Sequence, residues 1–154
     1  MKKITLFAFI ILLSVNNKSI AQADDVKNSY LIILSTKSYV EAKKAARQAA
    51  TTLDIEFNLR GLVPNKATGL SIIKEDVLEG TIYPFYTIRD IESNGNYASV
   101  EWSTGYKGLA KGFYIVVVSS GKYNEVANYN KKTVKQFYKN AYVKSALIYP
   151  GGPG

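Results

Sequence analysis

Two short aliphatic runs constrain this chain more than any other feature: Tyr30-Leu31-Ile32-Ile33-Leu34-Ser35 and Tyr114-Ile115-Val116-Val117-Val118-Ser119. Each is rich in β-branched residues and reads as a buried strand. Each is followed by a helical pattern and then by a further strand. After the first, Ser38-Tyr39-Val40-Glu41 fits a capping box, with the Ser38 hydroxyl accepting from the Glu41 amide and the Glu41 carboxylate reaching back. Ala42, Ala45, Ala46, Ala49 and Leu53 continue at helical spacing as one apolar stripe, with Lys43, Lys44 and Arg47 opposite. Ile55, Phe57 and Leu59 then alternate with Glu56, Asn58 and Arg60, the pattern of a half-buried strand.

The same order returns 84 residues later, with Tyr30 matched by Tyr114, Ser35 by Ser119, Tyr39 by Tyr123 and Glu41 by Glu125. Asn124 is the expected helix cap, and Glu125 suits the positive end of the helix dipole. Val126, Val134, Phe137 and Ala141 give the apolar stripe of the second helix, beside a basic stripe of Lys131, Lys132, Lys135 and Lys139. Tyr142 to Tyr149 reads as the last strand, and residues 150–154 as a loose Pro/Gly tail.

The expected architecture is therefore α+β: a ferredoxin-like two-layer sandwich from a duplicated strand–helix–strand unit. It is a single domain over 24–149, with units 30–60 and 113–149 and a hairpin-containing insertion at 61–112. Right-handed crossovers put both helices on one face, with the apolar runs as central strands and the half-buried strands as edges. Alternation sets Leu31, Ile33, Ile115 and Val117 on one face and Tyr30, Ile32, Leu34, Tyr114, Val116 and Val118 on the other. Both faces are apolar, as in a sheet covered on both sides. The second cover is the segment 61–112, a partner, or a flat ligand that stacks on aromatics. Within that segment Asn94-Gly95 signals a hairpin between Thr87–Glu92 and Tyr97–Trp102. Its pairing gathers Asp90, Glu92, Tyr97, Ser99 and Glu101 on one face and Thr87, Arg89, Ile91, Ala98, Val100 and Trp102 on the other.

Composition removes whole classes of chemistry. The chain has no cysteine and no histidine, so disulfides, thiolate nucleophiles, Cys/His zinc sites and Ser-His-Asp triads are excluded. Ser35, Ser119 and Ser120 end apolar strands, where a nucleophile could sit, but there is no histidine to activate them; against a Ser/Lys catalyst, the expectation is that they start the turn into each helix. Asp90, Glu92 and Glu101 carry three readings: a glycosidase carboxylate pair, a calcium site, or a solvated hairpin face that resists edge pairing. The third is the expectation, and with it a non-catalytic protein without metal or cofactor.

Residues 1–23 have the form of a secretory signal peptide: Lys2-Lys3, an aliphatic run from Ile4 to Val15, and a polar segment ending Ala21-Gln22-Ala23. Its removal lowers the net charge from +8 to +5, with 17 basic and 12 acidic residues remaining. The chain is thus expected to be periplasmic or secreted, with no stable membrane insertion after cleavage. Its expected partners are envelope polymers, anionic surfaces or an acidic protein, and not nucleic acid. Twelve tyrosines accompany a single tryptophan. Tyr83, Phe85, Tyr86, Tyr97, Trp102 and Tyr106 are concentrated in the middle segment, where rings stack on sugar faces or pack on the sheet. The expected ligand-binding set is Tyr83, Tyr86, Tyr97, Trp102, Tyr106, Lys132 and Lys135.

The run from Tyr30 to Ala42, and again from Phe113 to Ala127 with Asn140 to Val143, resembles the sporulation-related repeat (SPOR) domain. That resemblance implies a ferredoxin-like fold that binds the glycan strands of peptidoglycan across its sheet face. The first functional expectation is accordingly a secreted, non-catalytic binding module for cell-envelope glycan. The second is a secreted inhibitor or immunity-type protein that blocks an envelope-targeting enzyme with the aromatic middle segment. The third, from Asp90, Glu92 and Glu101, is a hydrolase.

Overall fold

The apolar run at 30–35 lies within an eleven-residue strand, β1 (Val26–Thr36), which leads into helix α1 (Tyr39–Leu53) through the expected cap. The Ser38 hydroxyl accepts from the Glu41 amide at 3.3 Å. The return arm of the capping box is redirected: Glu41 accepts from the Thr36 hydroxyl, and the Ser38 amide donates to Thr36 Oγ1 at 3.2 Å. Helix α1 ends where Asp54 turns left-handed, at φ 52°. The computed structural model describes residues 26–148; the signal segment 1–23, Tyr149 and the tail 150–154 lie outside the described residues.

The chain then forms β2 (Glu56–Phe57), the hairpin β3 (Leu62–Asn65) and β4 (Gly69–Ile72), and β5 (Tyr97–Trp102). The second unit follows as β6 (Tyr114–Gly121), α2 (Tyr123–Lys132), a 3-10 turn at Val134–Gln136 and β7 (Tyr142–Ile148). The main sheet runs β2-β5-β6-β1-β7, antiparallel except for the β2–β5 pair, and β3–β4 stand apart as a two-stranded sheet. This is an α+β sandwich, and β5-β6-β1-β7 keeps the ferredoxin-like strand order. Helix α1 packs on β5, β6 and β1, and α2 packs on β1, β7 and β6, so both helices cover one face.

Several sequence expectations need correcting. The strand after α1 is only two residues long, because Arg60 and Gly61 take positive φ values of 55° and 67° and turn the chain away. Its place beside β6 is taken by β5, from the middle segment. Thr87–Glu92 is not a strand, and β5 pairs with β6 and β2 instead. Asn124 does not cap α2; Lys122 occupies the cap position without a side-chain hydrogen bond. Phe137 follows the 3-10 turn and is 55% exposed, so Val126, Val134 and Ala141 carry the core of this half without it.

The strand phases also differ. Leu31, Val116 and Val118 face the helices, while Tyr30, Ile32, Ile115 and Val117 face away. Register shifts around Ile32 in the β1–β6 pairing send both Ile33 and Leu34 toward the helix side. Strict alternation does not survive a bulge, because one extra residue flips every side chain beyond it.

The second apolar face is covered by the chain itself. Tyr106 is buried there with Tyr30 and Ile32, and Tyr86, Ile88, Leu109 and Phe113 pack around them. The Tyr30 and Tyr106 rings meet edge to face at 4.9 Å.

Candidate binding surface

Two arginines fasten the middle segment over the sheet. On β5, Glu101 is fully buried and accepts four hydrogen bonds: from Arg60 Nε at 3.1 Å, Arg60 Nη2 at 2.6 Å, Tyr86 at 2.7 Å and Tyr106 at 2.9 Å. Arg60 also donates to the carbonyls of Ile88 and Thr87 at 3.1 and 2.8 Å. Burial is the largest single influence on Arg60 and would lower its pKa, but the Glu101 charge, the neighbouring Tyr106 and Tyr86 and the hydrogen bond to Glu101 together shift it upward. Burial, and then the Glu101 charge, push the Tyr86 and Tyr106 hydroxyls well above the ordinary tyrosine range.

The second fastener is Arg89, also fully buried. Its guanidinium donates to Gly95 O at 2.6 Å, Tyr97 O at 3.1 Å, Ser99 Oγ at 3.2 Å and Ser93 O at 3.3 Å. The Tyr97 ring lies 3.5 Å from it, and burial lowers its pKa. Its own backbone is held too: its amide donates to Tyr106 at 2.9 Å, and its carbonyl accepts from Tyr30 at 2.8 Å. The backbone of 87–89 is thus held by side chains in place of strand pairing, with Arg60 donating to the Thr87 and Ile88 carbonyls and Tyr106 and Tyr30 bonded to the Arg89 amide and carbonyl.

These contacts correct the carboxylate readings. Glu101 is an interior anchor with both oxygens engaged, not part of a solvated face. Asp90 accepts from the Ser93 amide at 3.1 Å and hydroxyl at 2.9 Å, in a turn, and Glu92 is exposed. Among the described residues no group of three His, Cys, Asp or Glu side chains is placed to hold a metal ion. Arg60 escaped the sequence reading. Its signal is indirect: a charged residue before Gly61, at the point where the alternation stops.

The seven expected ligand-binding residues do not converge. Tyr106 is 2% exposed, and Tyr86 is half-buried with its hydroxyl turned inward to Glu101. Tyr97 and Trp102 are half-buried at opposite ends of β5. The Trp102 ring packs on Tyr114, 4.8 Å between centroids, and over Gly69, where a Cβ would come within 2.2 Å of the indole. Tyr83 is exposed, with the Lys74 ammonium 6.0 Å from its ring. Lys132 ends α2, and Lys135 lies in the 3-10 turn beyond it; both are exposed.

The convergent polar groups at the surface lie elsewhere, around the start of α2. There the Asn94-Gly95 turn folds back on the end of β6, and Gly95 and Ser120 exchange backbone hydrogen bonds of 3.0 Å each. Asn28 Nδ2 donates to Asn94 Oδ1 at 2.8 Å, and Ser119 donates to Asn96 Oδ1 at 2.7 Å. Between this turn and the helix is a hollow of about 450 Å³, bounded by Asn94, Asn96, Ser119, Lys122, Glu125 and Tyr129 among others. A second hollow of about 380 Å³, lined by Lys27, Ser29, Tyr123 and Ser145, adjoins the same helix start. The walls offer amides, hydroxyls, two ammonium groups, one carboxylate and two tyrosine rings. That mixture suits a polar, ring-shaped ligand that takes several hydrogen bonds and one stacking face. No family model matches the chain, and no curated protein or solved structure matches it either.

Proposed function

We propose that the chain is a secreted, non-catalytic binding module for cell-envelope glycan, and that peptidoglycan docks at the hollow beside the start of α2. The observation that carries this reading is the covered sheet. The helix-free face is filled by the protein's own Tyr86, Ile88, Tyr106, Leu109 and Phe113, which favours a ligand site at the sheet's end over one on the sheet face. There, Asn96 and Lys122 are exposed on backbone held by the Gly95–Ser120 bridge and the end of β6. Sugar hydroxyls and N-acetyl groups pair with such side chains, and the exposed Lys132 and Lys135 add attraction for anionic substituents.

Co-sedimentation with purified peptidoglycan tests the reading. The wild-type protein is expected in the pellet. Asn96→Ala with Lys122→Ala should weaken binding about tenfold, at roughly 0.5–1.5 kcal/mol per lost hydrogen bond. Retention in the supernatant, or equal pelleting of the double variant, would overturn it.

A further inference from the structure

Charge is segregated along this chain. Between Val126 and Ile148 there are five lysines and no acidic residue. The loop 73–83 carries three acidic residues, Glu75, Asp76 and Glu79, and one basic residue, Lys74. Each region also exposes apolar surface. In the loop 73–83, Leu78 and Ile82 are 81% and 87% exposed, next to exposed Glu75, Asp76 and Glu79. At the far end of α2, Phe137 and Tyr142 are 55% and 45% exposed, among Lys131, Lys132, Lys135 and Lys139. The one ion pair among the described residues is Arg60 with Glu101, so neither charged surface is neutralised by the other within a molecule.

We propose that these surfaces are two halves of one interface, with the loop 73–83 of one copy docking on the Lys132, Lys135, Phe137 and Tyr142 surface of a second copy. Leucine and isoleucine side chains this exposed cost solubility unless they are covered. Their flanking carboxylates repel anionic lipid and acidic partners, and they match the lysines at the α2 end. The contact is head-to-tail, so each bound copy leaves one free loop and one free basic surface, and growth is open-ended unless the rotation closes a ring. Its electrostatic part is screened once the Debye length falls from about 10 Å at 0.1 M salt to about 3 Å at 1 M.

Sedimentation velocity of the purified protein over a concentration series, at low and high salt, is the test. The average mass should climb with concentration at low salt and fall back toward the monomer at high salt. Leu78→Asp with Ile82→Asp, and separately Lys132→Glu with Lys135→Glu, should each be monomeric, with circular dichroism like the wild type because all four side chains are exposed. Mixed in equal amounts, the two double variants keep one intact loop and one intact basic surface between them. The mixture should form a dimer and stop there. A wild-type protein that stays monomeric throughout would overturn the proposal and leave the loop to a different partner. Association undiminished in either variant, or a mixture that does not dimerise, would overturn it as well. None of these outcomes depends on peptidoglycan, so the glycan reading stands or falls separately.

Discussion

Glu101→Gln is expected to remove a large part of the protein's stability. The wild-type carboxylate accepts four hydrogen bonds within 3.1 Å, two of them from Arg60. The Arg60 side chain is 13% exposed and Glu101 is fully buried. A glutamine keeps one acceptor oxygen, loses the charge and presents an amide where the Arg60 guanidinium can only donate. Removing one partner of a buried pair costs about 3–5 kcal/mol, because the other charge is left uncompensated. The tyrosines add little to this, since the Tyr86 hydroxyl lies 3.3 Å from that of Tyr106 and retains an acceptor there. Against a total stability of about 5–15 kcal/mol, the variant keeps at best a thin margin. Urea unfolding followed by the fluorescence of Trp102, the one tryptophan in the chain, measures the loss directly. Arg60→Met in the Glu101→Gln background removes the orphaned cation, so the double variant should be about 1–3 kcal/mol more stable than the two single losses sum to. A loss below about 1 kcal/mol for Glu101→Gln, or strict additivity in the cycle, would mean that water reaches the pair and that the knot does not hold the segment down.

Other perturbations test other parts of the same account. Burial raises the Tyr30 pKa from 10.0 to about 12, and its folded value therefore exceeds its unfolded one. The corresponding stability is complete below pH 10 and is lost as pH rises through about 12, so unfolding free energy should fall over that window and fall less steeply in Tyr30→Phe. Gly69→Ala forces a Cβ to within 2.2 Å of the Trp102 indole at a φ of 74°, and should cost about 2–4 kcal/mol with a shift in tryptophan emission. Leu53→Ala empties a core position and should cost about 2–5 kcal/mol by thermal or urea unfolding. Phe137→Ala, at an exposed position, should change stability by less than about 1 kcal/mol.

The parts of the fold that were legible are those governed by local patterns. The two apolar runs are the central strands β1 and β6, the Ser38 cap and the alanine stripe define α1, and the 3.6-residue period places Ala42, Ala46, Ala49 and Leu53 in the core. The doubly apolar character of those strands pointed to a cover on the second face, and the middle segment supplies it. What escaped was set by tertiary partners. Asn94-Gly95 does make a turn, yet the strand entering it is absent: β6 and β2 pair with β5 on its two sides, and Arg60, Tyr30 and Tyr106 hold the 87–89 backbone with side chains. Ser99 and Glu101 alternate with apolar residues and so read as solvated, but the face they occupy is the covered one. Nothing local distinguishes an outward carboxylate from one that meets an arginine 41 residues away. The hollow beside α2 was hidden for the same reason, since Asn94 and Asn96 meet Ser119 and Lys122 only when the sheet assembles.

The cover over the second face is itself polar at its centre, and this shapes what remains for function. An all-apolar cover would need only burial, and it could slide. Here Arg89 ties Gly95 and Tyr97 to the layer above, Tyr30 and Tyr106 hold the Arg89 backbone from below, and Asn28 reaches Asn94. Each bond fixes the segment in one register, because shifting it would bury an unpaired guanidinium. The turn at 94–96 is thereby held against the end of β6; in the walls of the hollow Asn94, Asn96 and Ser119 are hydrogen-bonded within the protein, and the buried Ser120 hydroxyl has no partner among the described residues. The loop 73–83 lies outside this clamp. Its backbone hydrogen bonds run within the loop, from Asp76 to Ile73, from Val77 to Lys74 and from Thr81 to Leu78, and back to Gly61 from Ile73. One buried network therefore separates the middle segment into a rigid part that builds a polar surface and a projecting part that presents leucine and isoleucine to solvent. That division is why the proposed glycan site is put at the first and the proposed docking loop at the second.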